Sequence, residues 1–346
     1  MTEMLTERRG SDFAVLARSI KELGLLDRRY GYYAARIGLT VLALAALAVG
    51  FVWVGDSWWS LFVAVAASFV TTQFAFLGHD AGHRQIFTSK WRNDWVGHGC
   101  GAVTGISFAW WVGKHNRHHQ NPNHEDEDPD IDIPALAFSR DQARTKTGPL
   151  RWIAAYQGYL FMPLLMTQAV MLKSAGIEAA IEGTVKGLKR EIALLAVHVA
   201  WYLTAVFLVL SPGKAVLFIL IHQGLMGIHL GMSFAPNHKG MPIIAKGEKL
   251  DFLRKQVLTS RNILGRRWVD VMLGGLNYQI EHHLFPSMPC ASLRKAQPVV
   301  QQFCEGRGVS YTHTDFLTSY GDVLRHLHDA GAPLREQLKA EKVKTA

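Results

Sequence analysis

The chain has sixteen histidines, and eight of them fall into short groups placed where apolar stretches end. HDAGH carries His79 and His83, and HNRHH carries His115, His118 and His119. QIEHH carries Gln279, His282 and His283, while a single His238 follows Asn237. Separations of three and four residues return to one helix face, so each group can aim its imidazoles at a common point. With histidine at about 5% of residues, a HxxHH pattern is expected by chance roughly 0.03 times in such a chain. Eight imidazoles exceed the four to six ligands one ion takes, which points to two metals sharing nitrogen ligands. Zinc is compatible by ligand type, but structural zinc favours thiolates or a closed tetrahedron. A nitrogen-ligated metal pair with open positions suits redox chemistry with dioxygen, for which iron is the better match.

The elements that must position these groups read as membrane helices. Of 346 residues, 49% are hydrophobic and 19% charged, below the roughly 25% charged share of ordinary globular proteins. Six windows lack Asp, Glu, Lys and Arg altogether: 37–55, 57–78, 95–113, 152–172, 192–213 and 215–237. Each approaches the roughly 20 residues that cross a hydrocarbon core. Only Asp56 separates the first two, and a tight Ser211-Pro212-Gly213-Lys214 joint links the last two, so each couple reads as a helical hairpin. The window 95–113 holds five glycines and His98 and is expected to be re-entrant or interfacial. Lys173, Lys186, Lys189 and Arg190 follow 152–172; the positive-inside rule puts them in the cytosol and makes that window an interfacial helix.

The expectation is therefore one all-α integral-membrane domain over 1–346, with four transmembrane helices in two hairpins, 37–78 and 192–237. The N-terminal segment, 79–151 and 238–346 form a cytosolic helical cap, with helical stretches at 250–273 and 315–339. If only the hairpins cross, every histidine group lies on one face. A crossing by 95–113 alone would part His79 and His83 from His115. The first 36 residues are polar and include Arg8, Arg9, Arg28, Arg29 and Arg36, so no cleavable leader is expected there and both termini are expected in the cytosol; in a prokaryote the membrane would be the plasma membrane. A net charge of +9 suits anionic headgroups, acyl carriers or acidic electron-transfer proteins. Nucleic acid is not expected, since no binding motif supports it. Cys100, Cys290 and Cys304 are too few and too scattered for a disulfide framework or a thiolate metal site.

From about Phe74 to Pro289 the sequence resembles the integral-membrane fatty acid desaturases, which carry three histidine boxes in this order and bind a di-iron centre. HNRHHQNPN and NYQIEHHLFP are similar to the front-end branch, where Gln replaces the first His of the third box, as Gln279 does here. The resemblance implies that His79, His83, His115, His118, His119, His282 and His283 ligate iron, with His238 as the additional histidine after the last span. Gln279 departs from the all-histidine pattern; it is either a weak ligand or a donor holding a water. The implied reaction uses O2 and two electrons to insert a cis double bond into an acyl-CoA or acyl-lipid chain. An unactivated methylene has no acidic proton, so acid–base catalysis cannot begin that reaction. Many front-end relatives carry a fused cytochrome b5 with an HPGG motif, which this sequence lacks. Electrons are therefore expected from a separate ferredoxin, cytochrome or flavoprotein reductase. A membrane hydroxylase is the near alternative, since the same oxidant can return oxygen to the carbon. A metal transporter or sensor is the distant one, and would place its histidines along an ion path within the membrane.

Several residues have plainer readings. His98, His198, His222 and His229 lie in apolar windows and are expected to be buried and bonded to carbonyls, although His229 rivals His238. His124, His313, His326 and His328 lie in polar surroundings and are expected at the surface. Asp80 and Asn237 are placed to hydrogen-bond ligands; the acidic run 125–132 could do the same, or be a solvated loop. Trp110 and Trp111 are candidates for a substrate tunnel wall or for interfacial anchors. Arg84, Lys114, Arg117, Arg266 and Arg267 could meet coenzyme A or headgroup phosphates, or serve only the positive-inside surface. The GHGCGA stretch at 97–102 matches a dinucleotide fingerprint but has no strand before it.

Overall fold

The computed structural model describes residues 11–345; Arg8 and Arg9 lie outside them. The chain runs α1 (Asp12–Glu22), α2 (Tyr30–Val54), α3 (Ser60–Gly82), α4 (Lys90–Thr104), α5 (Phe108–Gln120), α6 (Arg140–Arg144), α7 (Gly148–Leu165) and α8 (Gln168–Ile181). It continues through α9 (Leu188–Val209), α10 (Pro212–His238), α11 (Phe252–Leu258), β1 (Asn262–Leu264), α12 (Arg267–Met272) and α13 (Gln279–Leu284). The last elements are α14 (Cys290–Glu305), β2 (His313–Asp315), α15 (Phe316–Ala330) and α16 (Ala332–Thr345).

Among the described residues, α2, α3, α9 and α10 are long and apolar enough to cross a membrane. At 1.5 Å per residue even the 22 residues of α9 cover a hydrocarbon core of about 30 Å. The inner pair, α3 and α10, has half of its apolar window buried, whereas α2 and α9 bury only 11% and 17%. Their outward Leu39, Leu42, Val49, Leu203, Phe207 and Leu208 would be an aggregation liability in water and are at home in lipid. The two hairpin turns meet: Asp56 Oδ1 accepts from the Ser211 amide at 2.9 Å and its hydroxyl at 3.0 Å, and Lys214 donates to the Asp56 carbonyl at 2.7 Å. Both turns thus lie at one end, and His79, His83 and His238 lie at the other, as parity requires.

The window 95–113 does not form a span. α4 ends at Gly105, whose φ of 75° is open to a residue without a Cβ, and whose amide donates to the Gly101 carbonyl at 2.7 Å. Ser107 then caps α5 by accepting from the Trp110 amide at 3.3 Å. The window 152–172 differs from the single interfacial helix expected of it. It belongs to two helices, α7 and α8, bent by 85°, with Pro163 removing a backbone donor in the last turn of α7. α7 also fastens to α15, for Gln157 Nε2 donates to the Leu327 carbonyl at 2.8 Å.

The stretch 250–273 is not one helix either. α11 and α12 flank β1, which pairs in parallel with β2. Asn262 accounts for the break: it accepts from the Ile280 amide at 3.0 Å and donates to Glu281 Oε2 at 2.7 Å and to the Tyr311 hydroxyl at 2.6 Å. Those bonds tie β1 to α13. The stretch 315–339 is divided between α15 and α16. Beneath α13, Ile280 and Leu284 pack with Leu253 and Val257 of α11, Leu293 and Val300 of α14, and Leu16 and Ile20 of α1. Each such side chain contributes about 1.5–3 kcal/mol by leaving water, which fixes the third histidine box to the cap.

Candidate metal centre

Four separate elements bring all eight box histidines into one buried cluster. His79 ends α3 and His83 follows it; α5 supplies His115, His118 and His119; the last turn of α10 supplies His238; α13 supplies His282 and His283. Ring centroids lie 4.6 Å apart for His79 and His282, 4.5 Å for His83 and His119, and 4.7 Å for His118 and His238. The donors divide into two adjoining groups. Atoms of His79, His83, His115 and His282 lie within 4.8 Å of one another, and so do atoms of His118, His238 and His283. His119 Nε2 stands 3.1 Å from both His115 Nε2 and His282 Nε2.

The outer ring nitrogens show which way the lone pairs point. His79 Nδ1 donates to Asp80 Oδ1 at 3.2 Å, and His118 Nδ1 to Asp128 Oδ1 at 2.9 Å. His238 Nδ1 donates to the Thr259 carbonyl and His283 Nδ1 to Gln256 Oε1, each at 2.9 Å. All four partners are acceptors there, so the proton sits on Nδ1 and the Nε2 lone pair faces inward. His118 Nε2 and His238 Nε2 then confront each other at 3.3 Å, and Nε2 of His79, His83 and His283 is buried without a partner. Facing lone pairs and buried nitrogens without a partner suit a bound cation. Burial, with neighbouring imidazoles adding to it, holds His115, His119, His282 and His283 well below the usual histidine pKa. They are neutral near pH 7, as metal coordination needs. The set fits two metal ions with nitrogen ligands and holds no thiolate, since none of the three cysteines belongs to either group.

Supporting contacts reach one layer further. Asp80 also accepts from Arg36 at 2.7 Å and from the Tyr33 hydroxyl at 3.1 Å. Burial would raise the Asp128 carboxyl, but the His118 imidazole and its hydrogen bond hold it below the usual carboxylate range. Asn237 lies beside Gln279. Its NH2, with two hydrogens, faces three acceptors: the carbonyls of Ser233 at 2.9 Å and Leu276 at 3.1 Å, and Gln279 Oε1 at 3.2 Å. Gln279 has its NH2 toward the cluster, where Nε2 donates to His238 Nε2 at 2.9 Å.

Two cavities flank the cluster. One, open to its surroundings, is lined by Ala75, Gly78, Cys100, Thr104, Ile106 and Phe108 and reaches His79. The other, also open, reaches His115, His118 and His238 and carries Lys114, Asp130 and Lys239 along its wall. Trp111, Leu172 and Phe234 line both, and the Trp111 ring stacks on His115 at 4.4 Å. Lys114 forms an ion pair with Asp130. Trp110 lines neither cavity; Arg84 and Arg117 are exposed and line neither, and Arg266 and Arg267 are exposed on the cap.

His229 lies outside the cluster, its Nε2 at 2.6 Å from the Met272 carbonyl, which leaves His238 as the histidine of α10 that joins it. His198 meets the Ala102 carbonyl at 3.2 Å as expected. His98 faces Glu191 Oε1 at 2.9 Å, and His222 bridges the hydroxyls of Thr71 and Tyr202 at 3.0 and 2.7 Å, so these two use side chains rather than carbonyls. His124 is buried, at 8% exposure, instead of lying at the surface. The acidic segment folds inward to place Asp128 on His118 and takes His124 with it. His313 is exposed, and His326 and His328 are half-buried. Sequence reasoning gave no sign of Gln256, which lies in polar α11 and holds both His283 and the His119 carbonyl.

The GHGCGA stretch lies inside α4, with no strand before it. The fatty acid desaturase family matches residues 56–315. The chain is similar to an acyl-lipid (9-3)-desaturase of Physcomitrium patens, 32% identical over 322 residues that cover 88% of this chain and 60% of that protein. It is also similar to a Delta(8)-fatty-acid desaturase of Helianthus annuus, 28% identical over 341 residues, 94% of this chain and 74% of that one. A Delta(6)-fatty-acid desaturase of Caenorhabditis elegans is 27% identical over 334 residues, 91% and 74% respectively. The family match encloses all eight clustered imidazoles, and the chain belongs to the fatty acid desaturase family, on its front-end branch.

Proposed function

We propose that the protein inserts a cis double bond into a fatty acyl chain, carried on a lipid or on coenzyme A, at a pair of iron ions held by the eight clustered histidines. The observation that carries this reading is the convergence of inward Nε2 lone pairs from four chain segments beside an apolar cavity. His79, His83, His115, His119 and His282 would hold one ion, and His118, His238 and His283 the other. Such a pair supplies the activation of O2 and the removal of hydrogen from an unactivated methylene. Two hydrogens leave the acyl chain and, with two further protons and two external electrons, reduce O2 to two waters.

The protein's own part is orientation and exclusion. Asp80, Asp128, Gln256 and the Thr259 carbonyl fix ring tautomers. Gln279 presents an amide donor beside His238, which suits a hydrogen bond to a bound oxygen-containing ligand rather than coordination. The apolar cavity takes the acyl tail, the Trp111 ring lies against the cluster, and Lys114, Asp130 and Lys239 meet the polar head. An ion transporter is disfavoured, because the cavity leading to His79 is apolar. The excess of basic residues after α8, at Lys186, Lys189 and Arg190, supports a cytosolic active site. The basic surface would serve an acidic electron donor.

Expression in a host of defined lipid content, followed by mass spectrometry of its acyl chains, tests the reading. A product two hydrogens lighter than substrate is expected; one oxygen heavier would mean hydroxylation instead. Leu172→Trp narrows the passage shared by both cavities. Misplacing a reacting carbon by about 1 Å costs on the order of 100-fold, so turnover of long chains should fall about that much while iron content is unchanged.

A further inference from the structure

A groove outside the acyl passage runs along α2 and α3 up to α12 and α14, with about 1760 Å³ of atom-free space open to its surroundings. On α2 it is lined by Tyr32, Arg36, Leu39 and Ala43, spaced by three and four residues and so on one face. From Tyr32 to Ala43 that face is about 16 Å long, half of a hydrocarbon core of about 30 Å. The groove therefore has the depth of one leaflet. Its deep end is apolar, with Ala43 opposite Phe69 and Val70 of α3, and its shallow end carries Arg267, Arg294 and Lys295, all exposed.

The charge at that shallow end is not balanced. Arg294 is committed to Asp270 at 2.8 Å, and Arg36, on the groove floor, to Asp80 at 2.7 Å. Arg267 and Lys295 have no carboxylate partner among the described residues. Trp268 and Val271 of α12 are exposed beside them, as suits a helix seated at a lipid interface. α12 is tied to the spans through Gln73, whose Nε2 donates to the Val271 carbonyl at 3.3 Å. No residue lines both this groove and either cavity at the histidine cluster.

We infer that this groove holds one anionic phospholipid, its phosphate at Arg267 and Lys295 and one acyl chain along α2 and α3, as a binding site separate from that of the substrate. A zwitterionic lipid would bring its own cation against two unpaired ones, so the site discriminates by headgroup charge.

Native mass spectrometry of the full chain, released from nanodiscs holding equal phosphatidylglycerol and phosphatidylcholine, reads the retained lipid without needing metal or turnover. One phosphatidylglycerol per chain is expected on the wild type. Removing two interfacial charges in Arg267→Gln/Lys295→Gln should weaken its retention about thirty-fold. Ala43→Trp, which fills the deep end and changes no charge, should displace it too. Lys90→Gln/Arg92→Gln, on exposed α4, should leave retention unchanged, and circular dichroism should show equal helix content throughout. Equal retention of the two lipids by the wild type overturns the inference. So does undiminished phosphatidylglycerol on a folded Arg267→Gln/Lys295→Gln protein, or equal loss from the α4 variant.

Discussion

His118→Ala is expected to reduce unsaturated product below about 1% of wild type while the protein still inserts into the membrane and purifies as a folded species. His118 lies between two commitments, with Nδ1 on Asp128 and Nε2 facing His238. Its loss takes one of three imidazoles from the smaller donor group, and neither His238 nor His283 can move across to replace it, because each is fixed through its own Nδ1. Outer partners of metal ligands usually matter by 10–100-fold. Asp128→Asn should therefore fall between His118→Ala and wild type, since it leaves the imidazole in place with a weaker acceptor. Iron analysis beside the product assay completes the comparison: His118→Ala should lose metal as well as turnover. Full turnover with an unchanged iron content in His118→Ala would remove this residue from the centre.

Gly227→Leu should be strongly damaging although it lies away from the histidines. A Cβ at Gly227 would fall 2.4 Å from the Leu165 carbonyl and 3.0 Å from the Met166 carbonyl. Those are backbone atoms at the α7–α8 elbow, where the chain is already bent by 85°, so they cannot turn aside as a side chain would. Overpacking commonly costs about 1–3 kcal/mol, and Leu should lie at the upper end or beyond. The elbow also carries Leu165 and Leu172 into the wall of the cavity that reaches His115, His118 and His238, so turnover should fall with stability. Gly231→Leu is the matched comparison. Its Cβ would also meet an atom at 2.4 Å, but that atom is the end of the Leu165 side chain, which can change rotamer. Thermal midpoints followed by fluorescence-detected size exclusion should drop by several degrees more for Gly227→Leu than for Gly231→Leu. The reverse order would show that the elbow yields.

The candidate centre was legible because most of its histidines come in short groups and the helix period does the rest. HNRHH puts three imidazoles on one turn of α5, and nothing distant is needed to aim them. What supports them was not legible, since Gln256 meets His283 only after α11 and α13 pack together, and Asp128 meets His118 only after an acidic loop folds inward. The spans were found by absence of charge, and the helices run past the charge-free windows. α2 starts at Tyr30, with Arg36 paired to Asp80, and α9 starts at Leu188, with Glu191 held by His98 and Ser107. Composition cannot see such partners. Hydropathy likewise ran through the elbow at Met166, because an apolar stretch reads the same whether straight or bent.

The order in which the clustered side chains emerge from the ribosome has a consequence for biogenesis. Three of the four contributing segments are made by the time His238 is translated, yet each donor group takes one member from α13, which follows some forty residues later. A nascent chain stalled between them would hold both donor groups incomplete beside two hairpins already made. On the proposed function, loading with metal would wait until α13 has been made and packed into the cap.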